Sequence, residues 1–578
     1  MITGSVANKV IKTLIGLPPR DACRDCLPER TTTPCYAWLM HNTHIGFVSI
    51  SAMSLAAAAI GSASAATLSV GPGKAFSAPC AAIAAARDGD IIDITGNTTY
   101  SGDACSINRN NLTIRGVDGR PRIDAAGKNA ADKGIWVVNG NNLTVDNVEM
   151  VGAKVMDANG AAFRLQGANF TLRHSFIHDN ENGILANANP NSDIVIEYTE
   201  FGHNGGGTGQ THNLYIGKVR SLTFRYNYSH DANVGHNLKS RAMTNTIAYN
   251  RFSSTNPGEK GSTASGQPSY EIDLPNAGTS YIIGNIIQQP AANQNPSIVA
   301  YGEEGATNPG QDLYFVNNTV VNDFAGGTFL FVSGKVSTPA LIQNNIFVGN
   351  GTLSTQSSAV LKNNYRAFAP DSADRSTGSL RRFASALVID AGADPGKSAD
   401  GVPLAPTGQY KDVASGEERP VAGALDLGAY EAPGTRASVK AVTWTECASE
   451  TKDCRFSGTR EVRFGGEGVY TSKIVTASTP CTVAAFGDPV HGQAKTCSYA
   501  DVTTVAPAAL RKTAAASAWT PCAGEGAICQ LSGTNRVRFG TDTKNVTKVL
   551  TGPVTCSNAT FGDPDHGALK TCSFRAGR

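Results

Sequence analysis

Residues 212–241 read HNLYIGKVRSLTFRYNYSHDANVGHNLKSR, one phrase stated twice with a strand-like segment between. His212-Asn213-Leu214-Tyr215-Ile216-Gly217 returns as His236-Asn237-Leu238-Lys239-Ser240-Arg241 after 24 residues, a period that fits one coil of a stacked repeat. In a strand, residues i and i+2 share a face. The apolar or small Leu214, Ile216, Leu238 and Ser240 therefore point inward, and Tyr215, Lys239 and Arg241 outward. The second copy carries two cations where the first carries none.

The middle segment belongs to a longer series. LTVDNVEMVG (143–152), FTLRHSFIHD (170–179), IVIEYTEFGH (194–203), LTFRYNYSHD (222–231), NTIAYNRFSS (245–254), SYIIGNIIQQ (280–289), LYFVNNTVVN (313–322) and ALIQNNIFVG (340–349) are short, alternating and rich in β-branched residues. Aligned, they stack Asn147, Ser175, Thr199, Asn227, Asn250, Asn285, Asn318 and Asn345 into one column, which reads as a structural corner ladder. His178, His203 and His230 close their segments and read as turn residues, while His212 and His236 can bond turn backbone. Helical spacing is scarce, which argues against an α-solenoid or a TIM barrel. The expected fold is all-β: a right-handed parallel β-helix followed by two small disulfide-rich β modules.

The remaining sequence sets the boundaries. The helix is expected over 67–433, capped at its start by an Ala-rich helix within 72–90, with Cys80 and Cys105 as a staple of the first coil. Residues 40–66 read as a secretory signal and 1–39 as a mis-called upstream extension. Of 13 Cys, three precede Met40, and the even ten that remain suit an oxidising compartment, hence secretion. Cys23-Arg-Asp-Cys26 has no second pair to complete a zinc site. A net charge of +2 on 578 residues gives no reason to expect nucleic acid or an anionic membrane as partner. The mature chain is expected to be a monomer without an organic cofactor.

After Gly434 a second unit occurs twice, over 438–500 and 515–578. Trp444, Cys447, Cys454, Arg463, Phe464, Cys481, Asp488, Lys495 and Cys497 recur at an offset of 75 as Trp519, Cys522, Cys529, Arg538, Phe539, Cys556, Asp563, Lys570 and Cys572. Four Cys per copy imply two disulfides each, with three possible connectivities. With their Val-Arg-Phe-Gly and Phe-Gly-Asp-Pro phrases, these units resemble modules appended to secreted bacterial carbohydrate-active proteins. The resemblance implies carbohydrate attachment, with Trp444 and Trp519 as candidate sugar platforms; the alternative is that each Trp packs into a small core.

The outward patch extends into the next coils. Tyr270-Glu271-Ile272-Asp273-Leu274 is read with Glu271 and Asp273 outward, and Ile298-Val299-Ala300-Tyr301-Gly302-Glu303 with Tyr301 and Glu303 outward. Across 210–350, through Gly235 to Arg241, Ile272 to Asn276, Gly284-Asn285 and Ala300 to Gly305, the chain resembles bacterial secreted β-helix proteins of the polysaccharide lyase (pectate lyase-like) type. That resemblance implies an acidic polysaccharide substrate, with Lys239 and Arg241 as base and neighbouring cation. It implies Glu271, Asp273 and Glu303 as candidate calcium ligands.

β-Elimination from a uronate removes the C5 proton, whose acidity rises when the adjacent carboxylate is neutralised by a cation. Lys239 serves as base if Arg241 depresses its pKa, and Tyr215 or His236 returns a proton to the leaving oxygen. Asn213, Asn237 and Tyr301 complete the expected substrate contacts. Two alternatives stay open. Glu271 and Asp273, about 6.6 Å apart on one strand, sit near the lower limit for an inverting hydrolase. Lys239 and Arg241 could instead pair with Glu271 and Asp273 on a non-catalytic adhesin.

Overall fold

The computed structural model describes residues 64–253, 267–368, 388–421, 423–432, 442–502, 519–531, 534–541, 544–564 and 570–576. The expected upstream extension and nearly all of the expected secretory signal lie outside the described residues. So does most of the Gly- and Ser-rich stretch from Ser253 to Pro268.

Three parallel sheets run the length of the repeat region, and each coil contributes one strand to each. The first holds 12 strands, from Thr67–Val70 to Val360–Lys362. The second begins at Thr99–Ser101 and reaches Asn364–Ala367, and the third, of 10 strands, runs from Cys105–Ile107 to Thr352–Ser354. The expected right-handed parallel β-helix is the observed fold, the hand being the one twisted strands impose on parallel crossovers. Strand alternation drives the stacking. In the third sheet Trp136, Phe163, Ile184, Leu214, Leu238, Ile272, Val299 and Leu330 pair in register and are all buried. Each such side chain contributes about 1.5–3 kcal/mol by leaving water.

The corner ladder forms as expected between the first and second sheets. Asn227 Nδ2 donates to Asn250 Oδ1, Asn250 to Asn285, Asn285 to Asn318, Asn318 to Asn345 and Asn345 to Asn364, at 2.9–3.2 Å. One member is displaced. Asn147 pairs with the residue before the column, at a backbone position with φ near +56°, and the ladder site in its coil is Val148, whose N–H donates to Ser175 Oγ. A left-handed residue precedes each ladder residue, and Asn tolerates both positions, so the sequence alone did not separate them.

The ends are covered differently. The Ala-rich stretch forms a helix over Pro79–Ala85, and Cys80 and Cys105 are joined, as expected. At the far end, strand Val469–Pro480 of the first disulfide-rich unit pairs in parallel with Asn364–Ala367, so the second sheet continues into that unit. The disulfides are Cys447–Cys454, Cys481–Cys497, Cys522–Cys529 and Cys556–Cys572, which selects nearest-neighbour connectivity. Trp444 and Tyr470 pack against the buried cluster that includes Tyr365 at the junction, the Trp444 ring faced by the Arg463 guanidinium at 4.7 Å. Trp519 is likewise faced by Arg538 at 5.3 Å. In the first unit the Trp is therefore committed to the end of the β-helix, a packing role different from the disulfide core expected for it.

Candidate active site

The outward column of the third sheet runs Leu185, Tyr215, Lys239, Asp273, Ala300 and Phe331. Tyr215, Lys239 and Asp273 thus stand on consecutive rungs, as the alternation of each strand predicts. Lys239 Nζ lies 2.8 Å from Asp273 Oδ2 and donates to Glu304 Oε1 at 3.0 Å. Arg241 Nη2 lies 2.6 Å from Glu304 Oε2, its Nε donates to the Tyr215 hydroxyl at 2.8 Å and its Nη1 to Asn276 Oδ1 at 2.7 Å. A cation on strand Leu238–Ser240 and another just past its end therefore converge on one carboxylate, whose side chain is 43% exposed.

Burial opposes the charge on Lys239, but Asp273 and Glu304 outweigh it and the lysine pKa is raised. This corrects the expectation that Arg241 depresses it: the nearest groups to the ammonium are acids. Arg241 is also raised, burial being outweighed by Glu304 and Tyr215. Burial acts to raise Glu304, yet hydrogen bonds from Lys239 and Arg241 hold it below the usual carboxylate range. Asp273 is fully buried and held above that range by burial, with Lys239 opposing.

The histidines behave as backbone partners. His212 Nδ1 accepts from the His236 amide at 3.1 Å, and His236 Nδ1 from the Tyr270 amide at 3.2 Å. The His212 ring stacks on that of His236 with centroids 4.7 Å apart, and the Tyr270 ring on the next coil lies tilted to His236 at 5.1 Å. Burial, with Lys239 and Arg241 nearby, lowers His212 to about 3, and burial with His212 and Lys239 takes His236 well below its ordinary value. Each neutral imidazole spends its basic nitrogen on the turn. His236 Nε2 faces Asp273 Oδ2 at 3.4 Å, so this residue positions the acid instead of serving a substrate.

Four further expectations are corrected. Tyr301 pairs with Leu274 in register, is fully buried, and donates its hydroxyl to Gly278 O at 2.7 Å. The expected register was one residue off, which sends a side chain to the opposite face. Asn213 and Asn237 are fully buried, with Asn213 Nδ2 donating to Asn237 Oδ1 at 2.9 Å. They belong to a second internal ladder, Asn180–Asn204–Asn213–Asn237, that ends when Asn237 Nδ2 donates to Glu271 Oε2 at 2.5 Å. Glu271 precedes its strand, Ile272–Leu274, so the chain turns there and alternation does not reach it. It is buried inside the corner, and burial pushes its carboxyl up to about 8.

Glu303 accepts from the Tyr270 hydroxyl at 2.6 Å. Glu271, Asp273 and Glu303 are thus committed separately to Asn237, Lys239 and Tyr270, and the expected calcium set does not converge. The Lys239 ammonium takes the place a cation would occupy on Asp273. The same separation leaves the expected hydrolase pair without a shared face.

Glu304, Tyr270 and Asn276 were not singled out from sequence. Glu304 was legible only as one of two acids in Gly302-Glu303-Glu304-Gly305, a turn after the strand where alternation gives no facing.

No protein-family model and no curated protein matches the chain. Among solved structures, pectate lyase Pel9A aligns over 61% of this chain and 90% of its own, at 17% identity and a TM-score of 0.43. A PL6 alginate lyase in complex with trisaccharide covers 54% of this chain and 87% of its own, at 10% identity and a TM-score of 0.27. The pectin methylesterase from Aspergillus niger covers 42% and 89%, at 10% identity and a TM-score of 0.27. Among the described residues no helix is long and apolar enough to cross a membrane.

Proposed function

We propose that the chain is a secreted, monomeric polysaccharide lyase that cleaves a uronate-containing polymer by β-elimination. The observation that carries this reading is the convergence of Lys239 and Arg241 on the exposed carboxylate of Glu304, on the outward face of a long sheet. Two cations fixed that way form a receptor for a carboxylate, and the flat stack of coils beside them suits an extended chain.

In this reading the substrate carboxylate replaces that of Glu304 and lies against Arg241, which stabilises the charge that develops at C5. Lys239, after losing its proton to solvent, takes the C5 proton on Nζ. The electron pair left at C5 forms the C4–C5 double bond, the C4–O bond breaks, and the leaving oxygen takes the hydroxyl proton of Tyr215. Arg241 Nε, already donating to that oxygen, stabilises the resulting phenolate. Asp273 and His236 hold Lys239 in place. The second disulfide-rich unit, with Trp519, is proposed to attach to carbohydrate.

Incubation with a panel of uronate polymers tests the reading: unsaturated ends absorb in the ultraviolet. Reducing ends without that absorbance would identify a hydrolase, and binding without product an adhesin.

A further inference from the structure

Away from the Lys239 site, the corner where the second sheet ends gathers two imidazoles and a carboxylate. The ligand atoms of His203, His230 and Asp231 all lie within 4.8 Å of one another. The backbone brings them together. Strand Glu200–Gly202 pairs with strand Tyr228–His230, and His203 and Asp231 follow their strands with φ near +54° and +50°, so they are the same corner position on adjacent coils.

Gly202 makes the arrangement possible: a Cβ there would stand 2.6 Å from Cε1 of His230, whose ring lies across it. The ring has its Nδ1 2.8 Å from Asp231 Oδ2 and its Nε2 3.3 Å from Glu200 Oε1. The His203 ring meets it edge-on, with centroids 5.6 Å apart at 88°.

The same chain supplies a comparison. Two coils earlier, His178 is held in the same way, Nδ1 2.6 Å from Asp179 and Nε2 3.2 Å from Glu149. The metal-competent groups among the described residues do not include that corner. What distinguishes the later corner is the second imidazole on the intervening coil. In the other group of potential ligands, Asp390, Asp426 and Glu431, the Asp426 carboxylate accepts from the amides of Asp390 and Ala432, and that of Glu431 accepts from Arg419.

We propose that His203, His230 and Asp231 bind one divalent transition-metal ion of the zinc class. Two imidazoles and one carboxylate are a donor set suited to such an ion and poorly suited to calcium. His230 coordinates through Nδ1 while its Nε2–H donates to Glu200, the carboxylate–imidazole support that orients metal-bound histidines. A tetrahedral zinc ion spaces its donors roughly 3.3 Å apart, so the half-buried His203 swings inward on binding. Water completes the coordination. The ion cross-links two consecutive coils next to the loops that lead into the third sheet.

The test uses the full mature chain, stripped with a chelator and titrated with Zn²⁺ by calorimetry, with cobalt substitution as a spectroscopic readout. One Zn²⁺ per chain is expected, together with a higher melting temperature. Affinity should fall by up to about a hundredfold per pH unit below neutrality, as a proton competes for each of the two imidazoles. Cobalt should give the absorption of a nitrogen- and oxygen-ligated tetrahedral ion. His203→Asn, which tolerates the left-handed backbone, should keep the metal-free melting temperature and lose tight Zn²⁺ binding, whereas His178→Asn should keep it. Absence of stoichiometric binding in the wild type would overturn the proposal. So would binding that survives His203→Asn, or that disappears on replacing the exposed His491 or His174.

Discussion

Replacing Glu304 by Gln is the most informative perturbation of the Lys239 site. Glu304 bonds Lys239 at 3.0 Å and Arg241 at 2.6 Å while its side chain stays 43% exposed. Lys239 and Arg241 are mostly buried, with side chains 10% and 21% exposed, but water reaches the Glu304 end of both pairs and screens them to roughly 0.5–1 kcal/mol each, so two amount to about 1–2 kcal/mol. If Glu304 occupies the position of a substrate carboxylate, that energy opposes binding, because the ligand must displace it. Glu304→Gln should then tighten binding of a uronate oligosaccharide by about 5- to 30-fold, while stability falls by no more than about 1–2 kcal/mol. Isothermal titration with a uronate oligosaccharide and with its carboxyl-reduced counterpart separates the charge effect from general fit, since only the first should gain. Binding at least tenfold weaker in the variant, or an equal gain with the reduced sugar, would refute the reasoning. The first result would mean that Glu304 holds the cations in place or contacts the ligand itself.

Other consequences follow from the same contacts. Lys239→Ala should abolish unsaturated-end formation while binding falls far less; full activity in this variant would remove Lys239 from the chemistry. Because its acid neighbours raise the Lys239 pKa, the rate should climb with pH toward the alkaline range, and a pH–rate profile levelling near neutrality would contradict a lysine base. Glu271, pushed up to about 8 from 4.5, keeps its proton in the folded state where the unfolded chain has lost it. Its contribution to stability is therefore full below pH 4.5 and lost as pH rises to about 8, by up to about 5 kcal/mol. Denaturant melts at several pH values should show that slope in the wild type and a flatter one in Glu271→Gln. Asn250→Ala would leave the amide of Asn227, the carbonyl of Phe224 and Asn285 Oδ1 each short of a partner. A loss of about 3–5 kcal/mol in a chemical melt is expected.

The fold was legible because its causes repeat. One alternating phrase with an Asn at the corner recurs every 23 to 35 residues, and each recurrence is a fresh statement of the same packing rule. Facing inside a strand was legible for the same reason: Tyr215, Lys239 and Asp273 fell where alternation put them. It failed wherever the chain left the strand. Glu271 precedes Ile272–Leu274 and turns into the corner; Tyr301 was placed on the wrong face by a one-residue slip in a strand apolar on both sides. Asn213 and Asn237 looked like surface amides because the second ladder has only a few members and no fixed spacing. Module docking was equally hidden, since Trp444 occupies the same place in its repeat as Trp519 and nothing in that repeat marks it as packing on the β-helix end.

The partners of Lys239 and Arg241 set what a ligand of this site must be. Lys239 and Arg241 carry two positive charges, Asp273 and Glu304 face them, and Glu271 lies elsewhere with its own partner. On an adhesin-type sheet such charges would merely balance, and the balance would be finished within the column. Here it is not: Asp273 is sealed beneath Lys239, whereas the other acid reaches the cations from a turn at the solvent edge, so one anion is fixed and the other exchangeable. Exchange of one carboxylate for another conserves the local charge, so a uronate can enter without leaving a buried cation unpaired. A neutral sugar that displaced Glu304 would incur that desolvation cost. Under the proposed function, selectivity for acidic chains should survive in Lys239→Ala through Arg241 and vanish in Arg241→Ala.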